Sequence, residues 1–239
     1  MRKISIPFHI GLALAGLGLL LAGCQSAAVK PSSAAPSGEL RHEPAPGAVR
    51  YDVDAQHSEV EFLVYKAGAF SAMGHNHTVE AREFSGDVYL APQFKDSSFS
   101  LKLPVKDFEV DRAEARDAAG GDFKSHPSAS DIKGTTEHML GPDSLDAEKY
   151  PDVTIQSVSV SGEETKAEMT VRITLHGTPR DVKVPVAISR AGDDLAAAAD
   201  FELRQSEFGM SPYSALGGAL QVADTFKVHF KILCHKAAK

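Results

Sequence analysis

The residues best placed to do chemistry are His75-Asn76-His77. In an extended segment, positions i and i+2 project from one face, so two imidazoles would lie a few ångströms apart, with His57 one strand earlier. Two histidines and a third ligand suit zinc or copper, which makes His75, His77 and His57 a candidate metal site. No His-Glu-x-x-His helix accompanies them, and no carboxylate has a spacing that completes the set. The alternative is a pair of rim histidines at a strand start after Gly74. Nucleophilic catalysis has little support: there is no Gly-x-Ser-x-Gly elbow, and Cys234 falls on an apolar stripe. The paired carboxylates Glu163-Glu164 and Asp193-Asp194 sit in turns, and Gly217-Gly218 lacks the Lys of a phosphate loop. No cofactor is implied, and the expectation is a binding protein without enzymatic activity.

The elements that would position these residues are strands. From Tyr51 onward the dominant period is two: Val60, Phe62 and Val64; Phe99, Leu101 and Leu103; Met169, Val171, Ile173 and Leu175; Val182 to Ile188; Leu195, Ala197, Ala199 and Phe201; Phe226 to Cys234. Such alternation marks antiparallel strands with one buried face, and about eight of them fit a barrel or sandwich. Alternation stops from Asp111 to Tyr150, where Ser130–Leu140 and Asp143–Tyr150 are predicted as short helices. A long connection of this kind often forms a lid or binding loop. Ala197 and Ala199 place methyls on the inward stripe, and eight strands is the barrel size at which the interior is either just filled or holds one small ligand. A cavity lined by Phe62, Val64, Met169, Val171, Ala197, Ala199 and Phe201 is therefore predicted, and its uncharged walls select an apolar ligand.

The chain has 239 residues, 43% of them hydrophobic and 24% charged, with a formal charge of -7 and two cysteines. A disordered chain and a disulfide scaffold are excluded, and no basic stripe exists for nucleic acid. Arg2 and Lys3 precede an apolar run from Ile10 to Gly23, which reads as an export signal too short for a spanning helix. Leu21-Ala22-Gly23-Cys24 resembles a bacterial lipobox, which implies cleavage after residue 23, acylation of Cys24, and attachment to the membrane by lipid. Gln25, rather than Asp, follows the acylated position and favours the outer membrane. Cleavage removes two positive charges, so the mature surface is more acidic still and the acyl chains must supply the attachment. Residues 24–49 read as the acylated terminus and a disordered Ser/Ala/Pro tether with a reach of roughly 25–30 Å. Cys234 is left without a partner and is expected to be buried.

Several segments together resemble the YceI-like family of periplasmic lipid- and polyisoprenoid-binding proteins: Asp54–Phe62, Leu145–Ile155, Leu175–Val182, and Ser206–Met210 followed by Gly217-Gly218. Gly74-His75-Asn76-His77 is similar to a subgroup with a Gly-His-x-His signature. The resemblance implies that residues 50–236 form an all-β, eight-stranded antiparallel barrel of lipocalin type with a short helical insertion. It also implies a long-chain apolar ligand, held as carrier, store or sensor. A membrane redox partner such as a cytochrome is the remaining alternative, and a homodimer stays open.

Overall fold

A computed structural model describes residues 43–238. The export signal, Cys24 and most of the tether lie outside the described residues. The alternating segments fold as antiparallel strands, and the elements in chain order are β1 (Val49–Ala67), β2 (His77–Ala81), β3 (Ser85–Leu90), β4 (Ser98–Pro104), β5 (Phe108–Val110), α1 (Ala113–Ala119), α2 (Ala129–Leu140), β6 (Asp152–Glu163), β7 (Lys166–Leu175), β8 (Thr178–Ala191), β9 (Asp194–Arg204), β10 (Ser214–Ala215) and β11 (Leu220–Lys236). Pairing runs β1-β3-β4-β6-β7-β8-β9-β11, and β11 returns to β1 from Tyr51 opposite Lys236 to Ala67 opposite Gln221. The ring is a closed eight-stranded antiparallel barrel with few helices. Closure satisfies the backbone groups that a sheet edge would leave unpaired.

Two of the eight wall strands are interrupted. β2 continues β3 beyond Arg82–Phe84 and pairs with the far half of β1, Val64 opposite His77. β5 continues β4 beyond Pro104, but β5 pairs only with β2. Proline has no N–H to donate, so the β4–β6 ladder ends where Pro104 faces Asp152. The next amide, Val105, instead donates to the Pro151 carbonyl at 2.9 Å. Past that point the wall parts between β5 and β6. The chain from Met139 to Ala147 fills the place, with Leu145 and Ala147 buried.

α2 forms close to where the sequence predicts a helix. Ser128 caps it by accepting from the Asp131 N–H, while the Asp131 carboxylate accepts from the Ser128 N–H. The predicted helix over Asp143–Tyr150 does not form. Asp146 adopts φ +46, and the Leu145, Asp146 and Ala147 amides donate back to Met139, Gly141 and Leu140 at the end of α2, leaving only one turn, in which the Lys149 and Tyr150 amides donate to the Asp146 carbonyl. α1 forms where no helix is expected from the sequence.

The half of the barrel remote from this insertion is filled by side chains. Val186, Ile188, Leu195, Ile232 and Cys234 are all buried there. Burial pushes the Cys234 thiol up to about 11, so it is an inert packing group.

Tyr150 ends the insertion and packs edge-on against His176, with ring centroids 5.0 Å apart. Next to it Gly177 turns the chain at φ +67, and a Cβ there would lie 2.2 Å from the Tyr150 ring. Gly177→Ala therefore meets both a left-handed backbone and an occupied site. It should lower stability by about 2–4 kcal/mol in urea denaturation; an unchanged midpoint would mean that Tyr150 is not seated on this turn.

Candidate functional site

The interior opens into a cavity of about 110 Å³ at the end where the wall parts. β1 supplies Phe62 and Val64, β2 Val79, β5 Phe108, β7 Ile173 and Leu175, β9 Phe201 and Leu203, and β11 Phe226 and Val228. Met139, Leu145 and Met210 close it from the insertion and from the chain after β9. Ser144 and Gln205 are the only polar residues of the lining, and none is charged. Phe62 lies between Phe108 and Phe226, with ring centroids 5.6 and 6.3 Å away. An ionised group brought into this space would lose its hydration without a partner, so the walls accept hydrocarbon and exclude charge.

Of the interior positions read from the sequence, Phe62, Val64 and Phe201 line this cavity. Met169, Val171, Ala197 and Ala199 do not; they face the filled half of the barrel. Ala197 stands between Ile188 and Ile232, and Ala199 opposite Phe230, so larger neighbours take up the room the methyls leave. The hollow comes from the parted wall, a feature of connectivity that a single inward stripe does not reveal. Leu103, Phe108, Phe226 and Val228 lie on alternating stripes and carried that signal once the insertion's place was known.

The insertion is held to the barrel by a buried ion pair. Asp111 ends β5 at φ +54, and its side chain is fully buried. Its Oδ1 accepts from the Thr78 N–H at 3.0 Å and from Arg116 of α1, and its Oδ2 from His77 Nδ1 at 2.6 Å. Arg116, 1% exposed, also donates to the Asn76 carbonyl (2.7 Å), the Ser125 carbonyl (2.7 Å) and Ser125 Oγ (3.1 Å). The guanidinium thereby ties β2, β5 and the approach to α2 to one point. Burial opposes ionisation of Asp111, but the hydrogen bond and charge of His77, the Thr78 N–H and the Arg116 charge prevail, leaving the carboxyl below its usual range.

The three histidines of the candidate metal site do not meet. His75 and His77 have ring centroids 6.4 Å apart, and His77 spends Nδ1 on Asp111. His57 lies on the β1 bulge, where its Nδ1 is 2.7 Å from Asp54. It is seven residues from Val64, the partner of His77, or roughly 23 Å along the strand. Asp54 also faces His235, whose other ring nitrogen faces Asp194, and the bonds from His235 and His57 hold the Asp54 carboxyl down at about 2. Among the described residues, no group of three or more His, Cys, Asp or Glu side chains could hold a metal ion.

One carboxyl on the outer wall is perturbed in the opposite direction. Glu61 is 8% exposed between His229 of β11 and Glu80 of β2. Burial, then Glu59 and Glu80, raise it to about 7 against the opposing pull of His229.

Removing one partner of a buried ion pair strands the other, at a cost of about 3–5 kcal/mol. Arg116→Met should lose stability of that order in urea denaturation, and Asp111→Asn should fall with it; a loss below about 1 kcal/mol for both would show that the insertion is held by other contacts. For Glu61 the folded state binds the proton more tightly than the unfolded chain does. Stability should therefore decline as pH rises from about 4.5 to 7, and Glu61→Gln should flatten that slope. Parallel profiles for the two proteins would exclude the assignment.

The sequence matches the YceI-like domain over residues 51–233. A search of curated protein sequences gives no match. Among solved structures, the chain is similar to BcnA of Burkholderia cenocepacia at 20% identity and a TM-score of 0.57, covering 76% of this chain and 99% of that one. It is also similar to the Campylobacter jejuni YCEI protein at 14% identity and a TM-score of 0.49, over 67% of this chain and 85% of that one. The likeness to BcnA is one of fold. With the domain match running from Tyr51 to Leu233 around this closed, hollow-ended barrel, the chain belongs to the YceI-like family, whose barrels bind hydrophobic small molecules.

Proposed function

We propose that the protein is a lipid-anchored carrier of the cell envelope that takes the apolar chain of a long-chain amphiphile into the split end of its barrel. The observation that carries this reading is the cavity, whose lining is apolar at all but two positions and uncharged throughout. The amphiphile's polar or ionised end stays outside, because nothing in the lining would replace its water. At about 110 Å³ the space is near that of a buried apolar cavity of about 150 Å³ that admits benzene. It takes a ring or a short stretch of chain as it stands. A longer chain gains room by displacing Met139 and Met210, unbranched side chains that repack at low cost. α2 above it has no fully buried residue and carries Gly134 in its centre, so this roof yields more readily than the walls. Chain transfer without covalent change makes the protein a carrier, store or sensor rather than an enzyme.

Anchoring is supported by Leu21-Ala22-Gly23-Cys24 and by the uncharged tether start that follows it. An acylated Cys24 would hold the barrel at the periplasmic face of a membrane, and Gln25 favours the outer one.

Binding of cis-parinaric acid, a fluorescent long-chain fatty acid, to the chain beginning at Gln25 tests the reading. Saturable binding is expected, and Val79→Phe, which adds volume to the lining, should weaken it roughly tenfold while costing about 1–3 kcal/mol of stability. No saturable binding, or equal affinity in a folded Val79→Phe protein, would refute the carrier reading.

A further inference from the structure

The largest exposed apolar side chains of the described residues gather at the end of the barrel that holds the cavity. Phe70 (49% exposed) and Met73 (70%) lie on the loop from β1 to β2, and Tyr213 (45%) and Leu216 (63%) on the chain between β9 and β11. The two loops are joined: the Phe70 N–H donates to the Ala219 carbonyl at 2.7 Å, and Gly68 lies against the backbone of Gly218 and Ala219. β1 and β11, which run into these loops at Ala67 and Leu220, also carry Val64 and Phe226 of the cavity lining. Tyr213 packs at a tilt against His138 of α2, 4.8 Å between centroids, and Met139 of the cavity lining follows His138 in the chain.

Residues 67–74 and 208–223 contain no Asp, Glu, Lys or Arg, in a chain where such residues make up 24%. Neither stretch thus contains an acidic residue, and one cation reaches the first of them: the Lys66 ammonium donates to the Gly74 carbonyl at 3.1 Å. Leu216 is exposed and also adopts φ +51, a left-handed conformation that disfavours leucine. Packing gains nothing from that side chain and the backbone opposes it. Strained, exposed, apolar residues on a rim without acidic residues are features of a surface that is covered when it works.

We infer that this rim docks on a lipid bilayer, with Phe70, Met73 and Leu216 entering the acyl boundary and Tyr213 at the headgroup level. The occupant follows from chemistry and continuity. The rim stands at the end of the barrel that holds the apolar cavity, on the strands that supply Val64 and Phe226 to its lining, so docking brings the bilayer to the end where a chain would enter. The absence of acidic residues from both stretches removes the repulsion that the rest of this acidic surface would meet at anionic lipid, and aromatic side chains favour the interface. The inference rests on the carrier reading, and it makes docking hydrophobic rather than electrostatic.

The test is co-sedimentation of the chain beginning at Gln25 with vesicles of phosphatidylcholine and, separately, of phosphatidylethanolamine with phosphatidylglycerol. This unacylated chain retains the whole closed ring and its core, Val49–Lys236. Partition into both vesicle types is expected, little changed by raised salt. The triple variant Phe70→Ser, Met73→Ser, Leu216→Asn should bind roughly tenfold more weakly or less, since each exposed apolar group adds separately. Because asparagine tolerates φ above zero, the Leu216→Asn change should not lower stability. The variant should keep the affinity for cis-parinaric acid. Docking is overturned if the wild-type chain stays in the supernatant, or if the variant sediments equally well. It is also overturned if light scattering finds a wild-type dimer that the variant abolishes while neither binds vesicles, which would make the rim a contact between two copies. Vesicle binding without cis-parinaric acid binding would instead fault the carrier reading and leave docking standing.

Discussion

A barrel wall must pass its hydrogen bonds from strand to strand, and this one stops doing so at Pro104. With no N–H to give, Pro104 ends the ladder to β6, and the following amide turns to Pro151 instead. β5 then follows β2 alone, and the wall needs another element to close it. Leu145 and Ala147 supply the closing surface, and the interior behind them is hollow where the opposite half of the barrel is packed. The cavity and the insertion that closes it both stand at this parting.

An insertion that closes a wall without strand pairing must be fixed by side chains. Arg116 and Asp111 do this from inside, at the price of burying two charges. Each charge is surrounded by fixed donors or acceptors: Asp111 receives Thr78 and His77, and Arg116 reaches the carbonyls of Asn76 and Ser125. A buried pair of this kind adds little net stability over a well-packed apolar pair, yet it admits one geometry only. Under the proposed carrier function, that suits a segment whose far end, α2, yields to an entering chain. The histidine signature of the sequence has the same explanation. His77 lies at the edge of the lid and is committed to Asp111, so its role in the resting molecule is architectural.

The strands were legible because a barrel with one dry face imposes period two over long stretches, as in Met169 to Leu175. The helical insertion was legible in its extent, since alternation ceases at Asp111 and resumes near Pro151. Its internal structure was not. Ala113–Ala119 is held by the burial of Arg116, a tertiary cause, and Asp143–Tyr150 failed as a helix because its amides bond back to α2. The cavity was predicted, but through Ala197 and Ala199, whose neighbours Ile188, Ile232 and Phe230 fill the space they leave. Packing density depends on facing residues from several strands at once, which no stripe taken alone contains. Phe62, Val64 and Phe201 lie nearer the parted end and do border the hollow.

Where an apolar chain lies in the protein decides most directly whether the split end binds it. A crystal of the barrel grown with a fatty acid brominated near its methyl end would locate the halogen by anomalous scattering. The bromine should lie among Phe62, Phe108 and Phe226, beneath Met139 and Leu145. A bromine beside Ala197 and Ala199, or on the outer wall, would contradict the assignment of the split end as the binding site.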